Sequence, residues 1–163
     1  HIRQIYNQTE LLCRAENIAE EDTLLTLSAS LLIYAGLSDS YEHYENRSVD
    51  IAREILPEFA YSEKQIDSIC NLILATKKPF DPQNKLESIL IDAKMEYIGR
   101  PDFNRLIKLL YLELKSNERE VQMQKLVNEQ ISMLKDFNYY TVAGQRLREV
   151  SGEDQIKILE SEE

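Results

Sequence analysis

The sequence predicts an all-α fold, a single helical bundle followed by a helical C-terminal extension. Apolar side chains recur at three- and four-residue steps almost throughout the 163 residues, the repeat of a helix with one buried face. Glycine and proline number only four each, too few for the many turns of a β-sandwich or a doubly wound sheet. With 43% hydrophobic residues, the chain can bury a core of single-domain size and lies far from the composition of disorder.

The elements follow in order. Ile2, Ile5, Tyr6, Leu12 and Ile18 share a face, which predicts a first helix to about Ala19. Asp22 is placed to cap a second helix from Thr23 to Ala35, which Gly36 ends. That helix is apolar nearly all round, so it is expected to be the most buried, with Leu31 in the core. Leu37 to Glu42 reads as a polar loop. A third helix from Tyr44 to Leu56, with Val49, Ala52, Ile55 and Leu56 inward and Ile51 also expected in the core, should stop at Pro57. Ser62 and Gln65 form a capping box for a fourth, carrying Ile66, Ile69, Cys70 and Ile73. Lys77 to Pro82 must be a loop. A fifth helix spans Lys85 to Ile98, before Gly99. Pro101 opens a sixth that ends near Asn117. A long polar helix over Glu118 to Phe137 carries Val121, Leu126, Ile131 and Leu134, and two short helices lie within Thr141–Val150 and Glu153–Leu159. The expected division is 1–117 for the bundle and 118–163 for the extension.

Composition excludes more functions than it suggests. A net charge of −10 argues against nucleic-acid binding, which depends on many Lys and Arg contacts to phosphate. No apolar run reaches the roughly 18–20 residues that cross a bilayer, so no membrane insertion by this segment is expected. Cys13 and Cys70 lack the spacing of a zinc site and read as reduced, buried thiols of a cytoplasmic protein. The chain starts at His1, directly in a helical pattern, and reads as a fragment with an upstream continuation. The tyrosines at 41, 44, 61, 97, 111, 139 and 140 read as core or rim packing. No glycine-rich phosphate loop, nucleophile elbow or Cys/His dyad is present.

From Tyr44 to Phe103 a set of motifs stands in fixed order: Tyr44-Glu45-Asn46-Arg47-Ser48, Ile51 to Pro57, Tyr61-Ser62, Leu74-Ala75-Thr76-Lys77, Ile89 to Lys94, and Tyr97 to Phe103. Phe137-Asn138-Tyr139-Tyr140-Thr141 follows. This series resembles one branch of the HD-domain metal-dependent phosphohydrolase superfamily, whose patterns there are H-E-x-x-S, I-A-R-E-I-L-P, G-Y-S, A-T-K, D-A-D-L and Y-L-G-R-x-D-F. The resemblance implies an HD-like helical bundle. In the family a His, an adjacent His-Asp pair and a later Asp hold one or two divalent ions, which activate water and neutralise phosphate charge.

At that site the sequence departs from the family. The His-Asp pair falls at Ile33 and Tyr34, just before Gly36. The later Asp falls at Lys94, while Asp92 matches the first acid of the D-A-D segment. The H-E-x-x-S histidine is Tyr44, followed by Glu45, with His43 one residue out of register. His1 alone keeps its place, 32 residues before Ile33. Isoleucine has no lone pair, and a lysine both removes a ligand and repels a cation. The expectation is therefore a vestigial pocket of His1, Ile33, Tyr34, Tyr44, Glu45, Asp92 and Lys94. It should have no catalytic residue, no metal and no cofactor, and Lys94 should pair there with Asp92 or Glu45. Lys77, Lys78 and Arg100 could attract a phosphate, but read more simply as a solvated loop and its surroundings.

The resemblance then implies a pseudoenzyme, a regulatory or protein-interaction module of a longer bacterial-type signalling polypeptide. Its expected partners are another protein or other domains of the same chain, and a homodimer is also allowed. The alternative is an active metal-dependent phosphohydrolase on a nucleotide or other phosphate ester, with ligands elsewhere.

Overall fold

The computed structural model describes residues 1–38, 43–116 and 122–161. Among them every regular element is helical, and the all-α expectation holds. By packing, the chain divides into two compact units. The first is His1–Lys94 with Tyr140–Gly144, and the second is Met95–Tyr139 with Gln145–Glu163. The boundary expected between residues 117 and 118 falls outside the described residues, as do Tyr41 and Val121 and most of the loop before Tyr44.

The first unit holds α1 (Ile2–Ala15), α2 (Glu20–Leu32), α3 (Tyr44–Ile55), α4 (Glu63–Ala75) and α5 (Lys85–Lys94). α1 packs on α2 and α5, and α4 on α2 and α3. Ile5, Leu12, Ile33, Ile69, Ile73, Ile89 and Leu90 form the centre of its core, all but inaccessible to water. Each such side chain contributes about 1.5–3 kcal/mol relative to exposure.

Several boundaries differ from the sequence reading, each for a local reason. α1 ends at Ala15 rather than near Ala19 because Asn17 takes a left-handed conformation, φ 56°. The Ile18 N–H then donates to Cys13 O (2.9 Å) and the Asn17 N–H to Arg14 O (3.2 Å), which satisfies carbonyls at the helix end. α2 begins at Glu20, and its N-cap is Ala19 without a side-chain bond. Asp22 is not the cap; with Glu20 and Glu21 it fills the first turn, where acids favour the positive end of the helix dipole. For α4 the capping box is present: the Gln65 N–H donates to Ser62 Oγ and the Ser62 N–H to Gln65 Oε1. α3 stops at Ile55, and Pro57 lies in a 3₁₀ turn over Leu56–Phe59.

The expected rank of burial is also corrected. Leu31 is 49% exposed, and Leu24 equally so, while Ile51 is only partly buried. α2 buries Leu25, Thr26, Ala29 and Ser30 and leaves an apolar stripe to solvent. The enclosed helix is α5, in which Ile89 to Lys94 are all buried. Six consecutive buried residues span more than a full turn, so packing must surround that helix.

In the second unit α5 gives way to a 3₁₀ turn over Glu96–Gly99 rather than continuing to Ile98. α6 (Phe103–Ser116), α7 (Met123–Asp136), α8 (Val142–Arg146) and α9 (Gly152–Ser161) follow, with α8 shared between the units. α6, α7 and α9 pack on one another around Phe103, Ile107, Leu126, Leu134 and Leu159. Among the described residues no helix is long and apolar enough to cross a membrane.

Candidate functional site

α2 stops at Leu32 rather than at Ala35, and Gly36 lies in a 3₁₀ turn over Ala35–Ser38. Gly36 and Ser48 bring that turn against the start of α3. The Gly36 N–H donates to Ser48 Oγ (2.9 Å), whose hydroxyl donates to Ile33 O (3.1 Å). A Cβ at position 36 would collide with the Tyr44 carbonyl and lie 2.8 Å from Ser48 N, so only glycine permits this approach. Ile33 is thereby fixed in the core, and the ring centroids of Tyr34 and Tyr44 lie 5.4 Å apart. The His1 ring lies 5.6 Å from that of Tyr34.

Lys94, at the end of α5, reaches into this cluster. Its ammonium donates to Thr76 O (2.7 Å) and to the Tyr44 hydroxyl (2.9 Å), and stands 3.8 Å from Glu45 Oε1. The side chains of Lys94 and Glu45 are each only 8% exposed. The centroids of the Tyr34 and Tyr44 rings lie 5.5 and 5.4 Å from the nitrogen. Burial pulls the Lys94 pKa down to about 8, against the opposing pull of Glu45. Burial also raises both phenols, with Glu45 adding to the effect, so neither is a phenolate at neutral pH.

The structure thus gathers Tyr34, Tyr44, Glu45 and Lys94 around one ammonium, with His1 against the Tyr34 ring and the buried Ile33 beside it. Asp92 is committed differently. Its Oδ1 accepts the Tyr140 N–H (2.9 Å), and its Oδ2 accepts the Thr141 N–H (2.8 Å) and the Thr141 hydroxyl (2.7 Å). Of the two acids expected for Lys94, the ion pair forms with Glu45. Nearby, Glu16 accepts the Ala143 N–H (2.9 Å) and pairs with Lys85 (2.9 Å). Two acids, Glu16 just past the end of α1 and Asp92 on α5, therefore hold the returning segment Tyr140–Gly144.

A divalent ion of the kind the resemblance implies does not fit the residues present. Beyond the histidine ring, the cluster offers an ammonium, an aliphatic chain, two neutral phenols and one carboxylate, against the several oxygen or imidazole donors such ions need. Among the described residues no group of three or more His, Cys, Asp or Glu is arranged to hold a metal. Buried side-chain atoms without a hydrogen-bond partner occur there only at Gln8 and Gln130, so no orphaned oxygen of the cluster awaits an ion.

The remaining polar residues have other partners. Arg100 binds Asp102 through two hydrogen bonds (2.7 and 2.8 Å) and approaches Glu96 (3.7 Å). Lys78 lies 5.7 Å from the centre of the Phe80 ring. His43 is exposed at the start of α3. Cys13 and Cys70 are buried thiols, that of Cys13 pushed up to about 11 by burial, which leaves it inert. In the second unit Arg148 lies 4.3 Å over the Tyr139 ring and donates to Glu96 O (3.1 Å).

Thr76 and Thr141 stand in the motifs that carry the resemblance, yet neither carries a side chain that marks it for the site. Their contributions are a carbonyl oxygen and a backbone N–H with its hydroxyl, which residue type alone does not announce. Comparison with family models, curated proteins and solved structures finds no match for this chain.

Proposed function

We propose that this chain is a catalytically inactive HD-like module that works by contact with other protein surfaces rather than by hydrolysis. One observation carries the reading. His1, Ile33, Tyr34 and Lys94 are the positions where the resemblance would put the four metal ligands, and Tyr44 stands at its H-E-x-x-S histidine. His1, Tyr34 and Lys94 are far apart in sequence, yet Lys94 reaches Tyr34 and its neighbour Tyr44, and Tyr34 meets His1. Unrelated positions have no reason to meet, and an ammonium stands where a cation would be expected. A module acting through surfaces also needs an apolar face, and α6 leaves Leu109, Leu110 and Leu112 exposed.

Metal titration tests the reading. Wild-type protein should show no shift in melting temperature with Mn²⁺ and no metal-dependent cleavage of a chromogenic phosphodiester. The triple variant Ile33→His, Tyr34→Asp, Lys94→Asp rebuilds the family's donor set around His1 and should gain measurable Mn²⁺ binding. Wild-type protein carrying about one equivalent of a divalent metal would overturn the proposal. So would hydrolysis that disappears in Glu45→Gln.

A further inference from the structure

We propose that the Glu45 carboxylate, the Thr76 carbonyl, the Tyr44 hydroxyl and the Tyr34 ring form a recognition site for a primary alkylammonium, filled in this chain by its own Lys94. An ammonium has three N–H donors and no acceptor. The site accepts hydrogen bonds from that one nitrogen at the Thr76 carbonyl (2.7 Å) and the Tyr44 hydroxyl (2.9 Å), and sets the Glu45 carboxylate 3.8 Å away as its counter-charge. The Tyr34 ring closes a further side at 5.5 Å, where its π-electrons favour a cation.

The same features select against other cations. A metal ion would require several hard oxygens at roughly 2.0–2.6 Å. A guanidinium has five donors in a plane, more than the Thr76 carbonyl, the Tyr44 hydroxyl and one carboxylate arranged around a single nitrogen can serve. A quaternary ammonium has no N–H for the Thr76 carbonyl or the Tyr44 hydroxyl. Lys94 is thus a tethered ligand: its butyl stem springs from the buried end of α5, and its head excludes free cations from the site. None of these contacts depends on the family reading, so the two proposals can fail separately.

Truncation at Cβ in Lys94→Ala removes three carbons and the nitrogen, the size of propylammonium. We would measure melting temperature for this variant and for wild type in about 100 mM propylammonium chloride, with sodium chloride at equal strength as reference. Lys94→Ala should gain about 2 °C, and wild type, already filled, should gain nothing. Propanol, tetramethylammonium and Mn²⁺ should not reproduce the gain, and Lys94→Ala with Glu45→Gln should lose it. An equal gain with propanol would mean simple cavity filling and would overturn the site, as would no gain with propylammonium. Lys94→Met keeps the apolar stem and guards against a truncated variant that does not fold. It should melt below wild type because Glu45 loses its partner, and a melting temperature at or above wild type would equally overturn the proposal.

Discussion

Lys94 titrates in an unusual window because its surroundings oppose each other. Burial draws the folded value down to about 8, while the unfolded chain titrates near the ordinary 10.5. Between those values the unfolded state holds the extra proton, so raising the pH across the window favours the folded state, by on the order of 1–3 kcal/mol. Tyr34 and Tyr44 act in the opposite sense. Burial keeps both protonated when folded, whereas unfolded tyrosine ionises near 10, so stability falls as pH passes that point. Urea midpoints from pH 7.5 to 11 should therefore rise and then fall. Lys94→Met should abolish the rise and keep the fall; a rise that persists in that variant would assign it to another group. The lysine's place in the cluster was legible from its motif. Its partner at Thr76 was not, because any residue supplies a carbonyl.

At the scale of elements, periodicity found the helices and missed how they end and which faces they bury. α1 stops at a left-handed asparagine, a signal that was present in Asn17 but overridden by the apolar Ile18 beyond it. An apolar pattern on every side marked α2 as central, yet composition does not say which neighbours arrive, and Leu31 remains outside. Leu31→Ala should change stability by no more than about 0.5 kcal/mol, whereas Ile33→Ala should cost about 2–4 kcal/mol; chemical denaturation distinguishes them. The segment leading into α8 depends on two groups. Asp92→Asn would set an amide against a backbone N–H and should cost about 2–3 kcal/mol, with faster hydrogen exchange at Tyr140 and Thr141. In Gly144→Ala the new Cβ would collide with the Asp92 carboxylate and lie 2.8 Å from Thr141 Oγ1. A loss of about 1–3 kcal/mol is expected in the same assay. Wild-type exchange rates in either variant would show that these contacts do not anchor the segment.

For the whole molecule, composition sufficed to establish an all-helical chain, but not that its first compact unit is discontinuous. A carboxylate bonded to an amide 49 positions later leaves no trace in local spacing. Removing residues 137–163 should therefore destabilise the first unit by about 2–4 kcal/mol, although His1 to Lys94 would be intact. An unchanged urea midpoint for that unit would refute this dependence. The discontinuity also sets an order of events during synthesis. A ribosome adding about 5–20 residues per second makes Asp92 roughly 2–10 s before Thr141. For those seconds the nascent chain carries a helix whose last six residues are destined for burial, with a carboxyl group that still needs water. α5 cannot settle at the centre of its unit until the returning segment has been made, so the part translated first is completed by residues translated late.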